Sequence, residues 1–434
     1  MTKDCLTGLE KLERRELLVA DTWFVDAIKA TETIGYLTTI QYNKPVVAIV
    51  DSGLDINHTE FKNNLWNNPY DQLDGIDNDK NGYVDDINGW DFVQNDGTPQ
   101  DGLFHGTHVA GIVSQIVKDK AQIMPLRFQN DNGLGYAGAA ASSIHYAVDM
   151  KLKGVNIVAI NCSFGGLDSM PSVLETAIKR ANDNGIVVVM AAGNNATDMD
   201  LSPKYPGSLK LSNSLTVAAI NPDMSLANYS NYGKNSVDVG APGSSIYSSL
   251  PNNTYGYVSG SSMAAPVVSA TVALLKTLGN YSASQIKNAI LQGSFVAVSW
   301  VDKIRTGFID ILNSYNILKL EKPQDIKVVE QPKSEVTSPV KTISYAFDTV
   351  SSRTIRGWAK LSDSGKAIVE IYINKKLRYR VVADAFRNDT GRKDGFVVSI
   401  NRKFLTQKSN QLEIRIKDSL GRVNPIVFKK LVNR

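Results

Sequence analysis

Short apolar runs alternate with helical patterns from residue 45 onward, and this alternation constrains the fold more than any other feature. Five of the runs have the length of buried strands, at residues 45–50, 123–128, 157–163, 186–192 and 215–220. Strands that alternate with helices form parallel sheets, because a parallel connection needs a long crossover. The sequence therefore predicts an α/β fold, a doubly wound, mainly parallel sheet with helices on both faces and right-handed crossovers.

The segments between these runs have the period of helices. They cover residues 105–117, 142–153, 172–184, 262–278 and 284–292. A further helical pattern at 18–36 belongs to an N-terminal segment, residues 1–44, which we expect to pack on the main body. The main body then spans residues 45–320, a length that is acceptable for one α/β domain.

The character of the chain changes near residue 320. Residues 321–342 combine Pro323, Pro332 and Pro339 with charges and with Ser and Thr, which is typical of a linker. Beyond it the apolar period becomes two, over residues 367–373, 377–382, 395–400 and 411–416. This pattern predicts an all-β module over residues 343–434, with the architecture of a sandwich.

Charge divides the chain at the same place. Residues 343–434 carry 20 Lys and Arg against 8 Asp and Glu, a net charge of +12, whereas the rest carries 27 against 35, a net charge of −8. The basic module predicts binding to an anionic surface or polymer. An equally weighted alternative is that the module only packs against the main body or limits access to it. Nucleic acid is not an expected partner, and we expect a monomer.

Three short segments carry an acid, a base and a nucleophile. Asp51 ends the first buried run, at the strand end where open α/β sheets bind ligands. His105 opens a helix in the segment His-Gly-Thr-His-Val-Ala-Gly, and Ser262 opens another in Gly-Ser-Ser-Met-Ala-Ala-Pro. A serine hydroxyl needs a base to remove its proton, an imidazole does this near neutral pH, and a buried carboxylate fixes the imidazole tautomer.

These segments, in the chain order Asp, His, Ser, resemble those of the subtilases, and the resemblance covers about residues 21–315. It implies a subtilisin-type serine endopeptidase that works through an acyl-enzyme, with Ser262 as nucleophile, His105 as general base and Asp51 as orienting acid. The segment Met-Ala-Ala-Gly-Asn, which ends at Asn194, resembles the oxyanion segment of the family. The resemblance implies that Asn194 stabilises the oxyanion together with the backbone N–H of Ser262.

The resemblance also implies how a protein or peptide substrate is held. Two segments resemble the strands that flank an extended substrate and bind it by β-augmentation. With the oxyanion segment, they indicate as substrate-binding residues Gly133, Leu134, Gly135, Ser163, Phe164, Gly165, Ala192 and Gly193. The segment Pro-Lys-Tyr-Pro resembles the lining of the first specificity pocket. Lys204 in that segment either approaches the pocket and favours acidic or polar side chains, or points to solvent.

One acidic loop has the spacing of a structural calcium site. Residues 77–85 place oxygen ligands at alternate positions with a glycine at the sixth, as in an EF-hand loop. The predicted ligands are Asp77, Asp79, Asn81 and Asp85, with Asp74 or Asp86 as a further candidate. The alternative is a solvated turn rich in Asp and Asn.

A second acidic loop, residues 90–100, resembles a calcium loop of thermitase-like subtilases, the members whose local motifs are closest to this chain. The resemblance implies the ligands Asp91, Asp96, Thr98 and Gln100. Gln94 stands where those relatives have a carboxylate, so we expect weaker binding. The chain between the histidine helix and the run at 123–128 is too short for the calcium loop that many relatives insert there.

Other features limit the location and the chemistry. Residues 1–25 are dense in charge and lack an apolar core, so they do not have the pattern of a secretory signal. The family resemblance nevertheless implies an extracellular or cell-surface bacterial protein. No apolar run approaches the length of a membrane span. Cys5 and Cys162 are too few for a disulfide framework, and neither lies in a nucleophile motif.

Two alternatives stay open at the level of the sequence. One is a surface-binding protein that retains the fold of a protease without its activity. The other is a processing peptidase of narrow specificity instead of a degradative one. His58, His108 and His145 are expected to be structural, because no carboxylate–histidine pattern completes a metal site around them.

Overall fold

A computed structural model of the chain describes residues 22–37, 44–295, 300 and 302–320, and the strands between residues 343 and 433. The chain divides into two compact units, Met1–Val328 and Val329–Arg434. The predicted linker at 321–342 lies outside the described residues, as do residues 1–21, which include the predicted start of the helix at 18–36.

The first unit contains the predicted alternation of strands and helices. Its helices are α1 (Trp23–Ala27), α2 (Ala30–Tyr36), α3 (His105–Val117), α4 (Ala137–Lys153), α5 (Ser172–Asp183), α6 (Ser261–Lys276), α7 (Ala283–Gly293) and α8 (Ile311–Leu320). Its strands are β1 (Val46–Asp51), β2 (Trp90–Asp91), β3 (Gln122–Arg127), β4 (Ile157–Cys162), β5 (Val187–Ala191), β6 (Ser214–Ile220), β7 (Val239–Pro242), β8 (Ile246–Leu250) and β9 (Thr254–Val258).

Seven of these strands form one parallel sheet in the order β2-β3-β1-β4-β5-β6-β7. The predicted mainly parallel α/β fold is therefore confirmed. All five predicted strands are present, each within one residue of the expected ends. The two strands of this sheet that the sequence did not indicate, β2 and β7, are short and lie at its two edges, and the sequence did not indicate β8 and β9 either. Strands β8 and β9 form a separate antiparallel hairpin.

The alternation of side chains along β1 divides the interior into two cores. Val47 and Ile49 pack with helices α3 and α6 on one face of the sheet. Val46, Ala48 and Val50 pack with helices α4 and α5 on the other face. Each fully buried Val or Ile contributes about 1.5–3 kcal/mol relative to exposure. Because side chains are buried on both faces of the sheet, the ends of its strands and the residues that follow them have fixed positions.

The N-terminal segment differs from the single helix predicted over residues 18–36. Its described part forms the two short helices α1 and α2, which are separated at Lys29, where φ is +59°. Two contacts fix this break: the Lys29 ammonium lies 2.7 Å from Asp310, and the Thr33 hydroxyl donates to the Lys29 carbonyl. Phe24 is fully buried in the same core as α3 and α6.

The second unit is all-β in its described part. Its strands are β10 (Ile343–Val350), β11 (Thr354–Leu361), β12 (Ile368–Ile373), β13 (Lys376–Val382), β14 (Ala385–Arg387), β15 (Arg392–Ser399), β16 (Ser409–Lys417) and β17 (Phe428–Asn433). They form two antiparallel four-stranded sheets, β10-β11-β15-β14 and β13-β12-β16-β17. The four predicted strands correspond to β12, β13, β15 and β16.

Candidate active site

Two of the predicted catalytic side chains meet at the carboxyl edge of the parallel sheet. Asp51, the last residue of β1, is 1% exposed, and its Oδ1 lies 2.7 Å from Nδ1 of His105, the first residue of α3. Burial acts to lower the pKa of His105, but the charge and hydrogen bond of Asp51, with Asp101 adding to them, leave it raised. The pair is arranged to stabilise an imidazolium.

Ser262 is the second residue of α6, and it is partly exposed. Its hydroxyl donates to the carbonyl of Ser163 at 3.1 Å, and the Ser163 hydroxyl donates to the carbonyl of Ser262 at 2.8 Å. This reciprocal pair ties the chain after β4 to the start of the buried helix α6. The Ser262 hydroxyl thus has the Ser163 carbonyl as its partner, and catalytic hydrogen bonds often form only when substrate is bound.

Asn194 lies beside the start of the same helix. Its Oδ1 accepts a hydrogen bond from the backbone N–H of Ser261 at 2.8 Å. This contact fixes the orientation of the amide and leaves its two N–H donors for another acceptor. The Ser261 hydroxyl in turn accepts from the backbone N–H of Gly193 at 2.9 Å, so the oxyanion segment and the helix start are joined twice.

Asn231, which no sequence motif indicated, forms hydrogen bonds that hold the predicted oxyanion segment. It is fully buried, its Oδ1 accepts the N–H groups of Asn195 and Thr197, both at 2.9 Å, and its Nδ2 donates to the Ala192 carbonyl. A Cβ at Gly193, where φ is +106°, would lie 2.4 Å from Asn231 Nδ2, so glycine is needed there. Asn231 is 36 residues from Asn195 in the chain, and its role depends on that long-range contact.

A cavity of about 570 Å³ opens beside these groups. Its walls include the predicted site residues Gly133, Leu134, Gly135, Phe164, Gly165, Gly193, Asn194 and Ser262. Apolar side chains complete the lining, among them Phe128, Ala137, Ala140 and Leu174. The rings of Phe128 and Phe164 are 4.6 Å apart, and a Cβ at Gly135 would lie 2.6 Å from Phe128. The cavity can accept apolar side chains of a bound chain.

Comparison with known proteins agrees with this geometry. A model of the subtilase family matches residues 42–315, which is more than half of the chain. The chain belongs to the subtilase family. It is therefore a serine endopeptidase, and its substrates are proteins or peptides.

Individual relatives of this subtilase are consistent with that assignment. Thermitase from Thermoactinomyces vulgaris is 37% identical over 253 residues, 56% of this chain and 78% of thermitase. Subtilisin-like protease 1 of Plasmodium falciparum (isolate 3D7) is 29% identical over 331 residues, 68% of this chain and 46% of that protein. The chain thus spans most of thermitase but about half of the longer relative. A solved cold-adapted subtilisin-like serine proteinase is 25% identical with a TM-score of 0.51, covering 66% of this chain and 98% of that one.

Three of the residues predicted to bind substrate do not line the cavity of the subtilase. Ser163 lies behind it, bonded to Ser262. Ala192 is buried, and its N–H and carbonyl are occupied by Val217 and Asn231. The Lys204 ammonium forms an ion pair with the exposed Asp168, so it has an acidic partner outside the cavity lining. The two interpretations of Lys204, approach to the pocket and exposure to solvent, stay predictions, because the side chain is only 20% exposed and yet does not line the cavity.

The first acidic loop of the subtilase has oxygen atoms suited to a hard cation, but they do not all face one point. Asp77 accepts from the N–H groups of Asn81 and Gly82, and Asp85 accepts from the N–H of Gly75, on the other side of the loop. The Asp79 side chain is 4% exposed, and its Oδ1 lies 2.9 Å from the Lys153 ammonium, which supplies one positive charge. Its buried Oδ2 has no hydrogen-bond partner among the described residues. A buried carboxylate oxygen without a partner fits a cation ligand.

The second acidic loop fits calcium less well. Asp91 is fully buried, its Oδ2 forms an ion pair with Arg127, and its Oδ1 accepts the N–H groups of Val93 and Gln94. Arg127 therefore already supplies a positive charge to Asp91. Asp96 accepts from the N–H of Thr98, and Gln100 pairs with Leu54 across a β-bridge. Within the part of the chain that the structure describes, no three His, Cys, Asp or Glu side chains are gathered as a metal site.

His58, His108 and Cys162 have structural environments. His108 is buried, its Nε2 contacts the carbonyls of Ile246 and Gly256, and burial lowers its pKa to about 4. His58 is tied to the Thr254 carbonyl and to the Glu60 N–H. Burial raises the pKa of the Cys162 thiol far above its usual range, so it is not a thiolate nucleophile. No helix in the described residues has the length and apolar character needed to cross a bilayer.

Proposed function

We propose that this subtilase cleaves peptide bonds with Ser262 as the nucleophile, His105 as the general base and Asp51 as the orienting acid. The observation that carries the proposal is the 2.7 Å contact between the buried Asp51 carboxylate and His105 Nδ1. A carboxylate at this nitrogen holds the proton on Nδ1 and leaves Nε2 as the base. The charge and hydrogen bond of Asp51 also raise the pKa of His105, although burial acts to lower it.

The proposed reaction proceeds in two halves. Ser262 Oγ forms a bond to the scissile carbonyl carbon while its proton passes to His105 Nε2, and the carbonyl oxygen becomes an oxyanion. The intermediate collapses, the C–N bond breaks, and His105 returns the proton to the leaving amine. Water then attacks the acyl-enzyme with His105 again as base, and Ser262 is released as the second product leaves.

The oxyanion in this proposal is held by Asn194 and by the backbone N–H of Ser262. The contact of Asn194 Oδ1 with the Ser261 N–H supports the role, because it leaves the amide donors of Asn194 on the remaining side. Ser262 lies in the first turn of the 16-residue helix α6, where backbone N–H groups have no partner within the helix. Removal of one such donor costs about 3–4 kcal/mol of transition-state stabilisation.

The substrate backbone would lie between two glycine-containing segments. Gly133 and Gly135 flank the exposed Leu134 on one wall of the cavity, and Phe164 and Gly165 lie on the other. Main-chain hydrogen bonds to an extended peptide would give affinity, and the apolar lining would select side chains. An apolar preference is expected because the cavity lining carries no Lys, Arg, Asp or Glu side chain.

We further propose that calcium binds the 77–85 loop through Asp77, Asp79, Asn81 and Asp85. The Oδ2 of Asp79, which has no hydrogen-bond partner among the described residues, supports this role, while Asp79 Oδ1 stays paired with Lys153. Binding would require Asp85 to turn from Gly75 toward the loop. When bound, the ion would stabilise the folded loop and would take no part in the reaction. At the 90–100 loop, Asp96, Thr98 and Gln100 remain as weaker ligands, because Asp91 is paired with Arg127.

The second unit is proposed to be a β-sandwich that binds an anionic surface or polymer. Two antiparallel four-stranded sheets and the net charge of +12 over residues 343–434 support this. The proposal includes a monomeric protein outside the cell or at the surface of a bacterium. Binding of the full chain to anionic and neutral vesicles, with its salt dependence, tests the charge component directly.

Labelling with a serine-directed fluorophosphonate tests the catalytic proposal. The reagent should modify the wild-type chain at Ser262, as located by peptide mass mapping, and should leave the Ser262→Ala variant unmodified. Absence of labelling under conditions that label subtilisin would contradict the proposal and would favour the inactive, surface-binding alternative.

A further inference from the structure

Asp101 lies behind the acid–base pair, and its carboxylate is surrounded by hydrogen-bond donors. The residue is 5% exposed. Its Oδ1 accepts from the Ser52 hydroxyl at 2.9 Å and from the N–H groups of Leu103 and Phe104 at 2.9 and 3.0 Å. Its Oδ2 accepts from the N–H and the hydroxyl of Thr107 at 2.9 and 2.6 Å. A carboxylate with five donors is held in one orientation and holds its partners in turn.

These partners belong to the two elements that carry the acid and the base. Ser52 follows Asp51 directly, and its Oγ also accepts the N–H of Gly106, the residue after His105, at 2.9 Å. A Cβ at Gly106 would lie 2.1 Å from the carbonyl oxygen of Gly53, so the strand end and the helix start are in close contact. Asp101 and Ser52 therefore join β1 to α3 independently of the contact between Asp51 and His105.

Phe104, which lies between Asp101 and His105 in the chain, has a strained backbone. Phe104 has φ +132° and ψ −25°, a conformation that side chains other than glycine rarely adopt. The residue is 38% exposed, so burial does not enforce this conformation. Such strain persists only where the surroundings impose it, and here Asp101 accepts the Phe104 N–H. Phe104 immediately precedes His105, so its backbone angles set where α3 begins and where the imidazole points.

We propose that Asp101 is a positioning residue for the reaction: it holds the strained turn at Phe104 and the start of α3 against the end of β1, and so aims His105 at Asp51 and Ser262. The proposal rests on the function proposed above. It assigns to Asp101 no contact with substrate.

The main test is Asp101→Asn in the full chain. The variant keeps one oxygen but puts an NH2 group against the N–H of Thr107 or against the donors on the other side. We expect kcat to fall about 10- to 100-fold with KM nearly unchanged, because small misplacement of a catalytic group costs rate and not binding. Asp55→Asn is the matched control. Asp55 is 7% exposed, and its carboxylate accepts the backbone N–H groups of Asn57 and Asn252. Its backbone N–H donates to the Thr107 hydroxyl, but its carboxylate has no contact with Thr107 among the described residues, so the change to Asn leaves the side-chain link at Asp101 intact.

The pH profile gives a second readout that loss of stability alone would not move. The charged or titratable groups around His105 are Asp51, Asp101 and His108. Activity needs neutral His105, so kcat/KM falls as the pH drops through the pKa of His105. Loss of the Asp101 charge should lower that pKa and move the acid limb to lower pH in Asp101→Asn, and leave it in place in Asp55→Asn.

A rescue experiment tests whether Asp101 acts by holding the strained backbone at Phe104. Glycine adopts φ +132° without strain. The double variant Asp101→Asn with Phe104→Gly should therefore have a kcat at least about threefold higher than that of Asp101→Asn alone. If Asp101→Asn does not fold, Ser52→Ala removes the same link between strand and helix and should lower kcat with KM unchanged.

Wild-type kcat and an unmoved acid limb in Asp101→Asn would overturn the inference, as would equal losses in Asp55→Asn or no recovery in the double variant. An inactive wild type that the fluorophosphonate does not label would instead refute the proposed function.

Discussion

Two regions of the subtilase are rich in aspartate but use it differently. At the proposed catalytic corner, formed by the end of β1 and the start of α3, Asp51 and Asp101 are 1% and 5% exposed, and their partners include side chains from other elements, such as His105 on α3. In the loop at 77–85, Asp77 and Asp85 are partly exposed and accept mainly backbone N–H groups of nearby residues. Burial and long-range contacts set the first pair, whereas local turns set the second.

This difference in burial and contacts indicates that the catalytic corner is preformed, whereas the stability of the acidic loop would depend in part on a ligand. The catalytic corner lies between β1, α3 and α6, which the two cores hold in place. We therefore expect its geometry to survive removal of metal ions. The acidic loop is held by hydrogen bonds of its own carboxylates, by the packing of Tyr83 and by the ion pair of Asp79 with Lys153. A bound cation would further reduce the repulsion among its like charges.

The largest effect is expected for His105→Ala, which removes the proposed general base from the catalytic corner. Without its base, Ser262 is not activated, and kcat should fall by about 10⁶ on a peptide substrate. Thermal unfolding in calcium buffer should change little, because His105 is partly exposed. A fall of less than about tenfold would show that another group acts as the base.

Asn194→Ala should give the next largest effect. Loss of one oxyanion donor should lower kcat about 10²- to 10³-fold while KM changes little, because the oxyanion exists only in the transition state. Steady-state kinetics on one peptide series measures both constants. Asn63→Ala, at an exposed asparagine that does not line the cavity, provides the control and should retain most of the activity.

Calcium removal should act on the loop and not on the corner. A ligand present at about 100 times its Kd stabilises the folded state by about 2.7 kcal/mol, so excess EGTA should lower the melting temperature by about 5 °C. At temperatures well below unfolding, kcat should stay the same. Asp77→Asn should remove most of the EGTA effect, and Asp96→Asn should remove less. An identical melt with and without EGTA, and no calcium in the purified protein, would contradict the calcium proposal.

The smallest effect is expected for Lys204→Ala. Because the Lys204 ammonium is paired with Asp168, its loss should change kcat/KM by less than about twofold on substrates with either acidic or apolar residues at the cleavage site. Paired substrates that differ only at that residue provide the measurement. A selective loss of more than about tenfold on the acidic substrate would show that Lys204 reaches the specificity pocket.

Much of the fold was predictable because its signals are local. The buried runs that became β1 and β4 are apolar on both faces, as strands of a covered parallel sheet must be. The short edge strands β2 and β7 have two and four residues, too few to show a period. The break at Lys29 depends on its ion pair with Asp310, a contact between residues far apart in the chain.

The candidate site divides in the same way. Asp51, His105 and Ser262 stand in short segments with a recognisable pattern, and the first two were brought within hydrogen-bond distance. Asp101 and Asn231 were missed, because their roles come from contacts with several elements and no short motif marks them. Lys204 was ambiguous for the same reason: its ion-pair partner, Asp168, lies 36 residues away.

The central claim is that Ser262 forms the acyl-enzyme at a preformed corner. The most direct measurement is cleavage of a peptide library and of a protein substrate by the purified chain, beside its Ser262→Ala variant at matched concentration. The account predicts hydrolysis by the wild type, a loss of about 10⁶ in the variant, and the same melting temperature for both. Cleavage by Ser262→Ala at the wild-type rate, or no cleavage by a folded wild type, would contradict it.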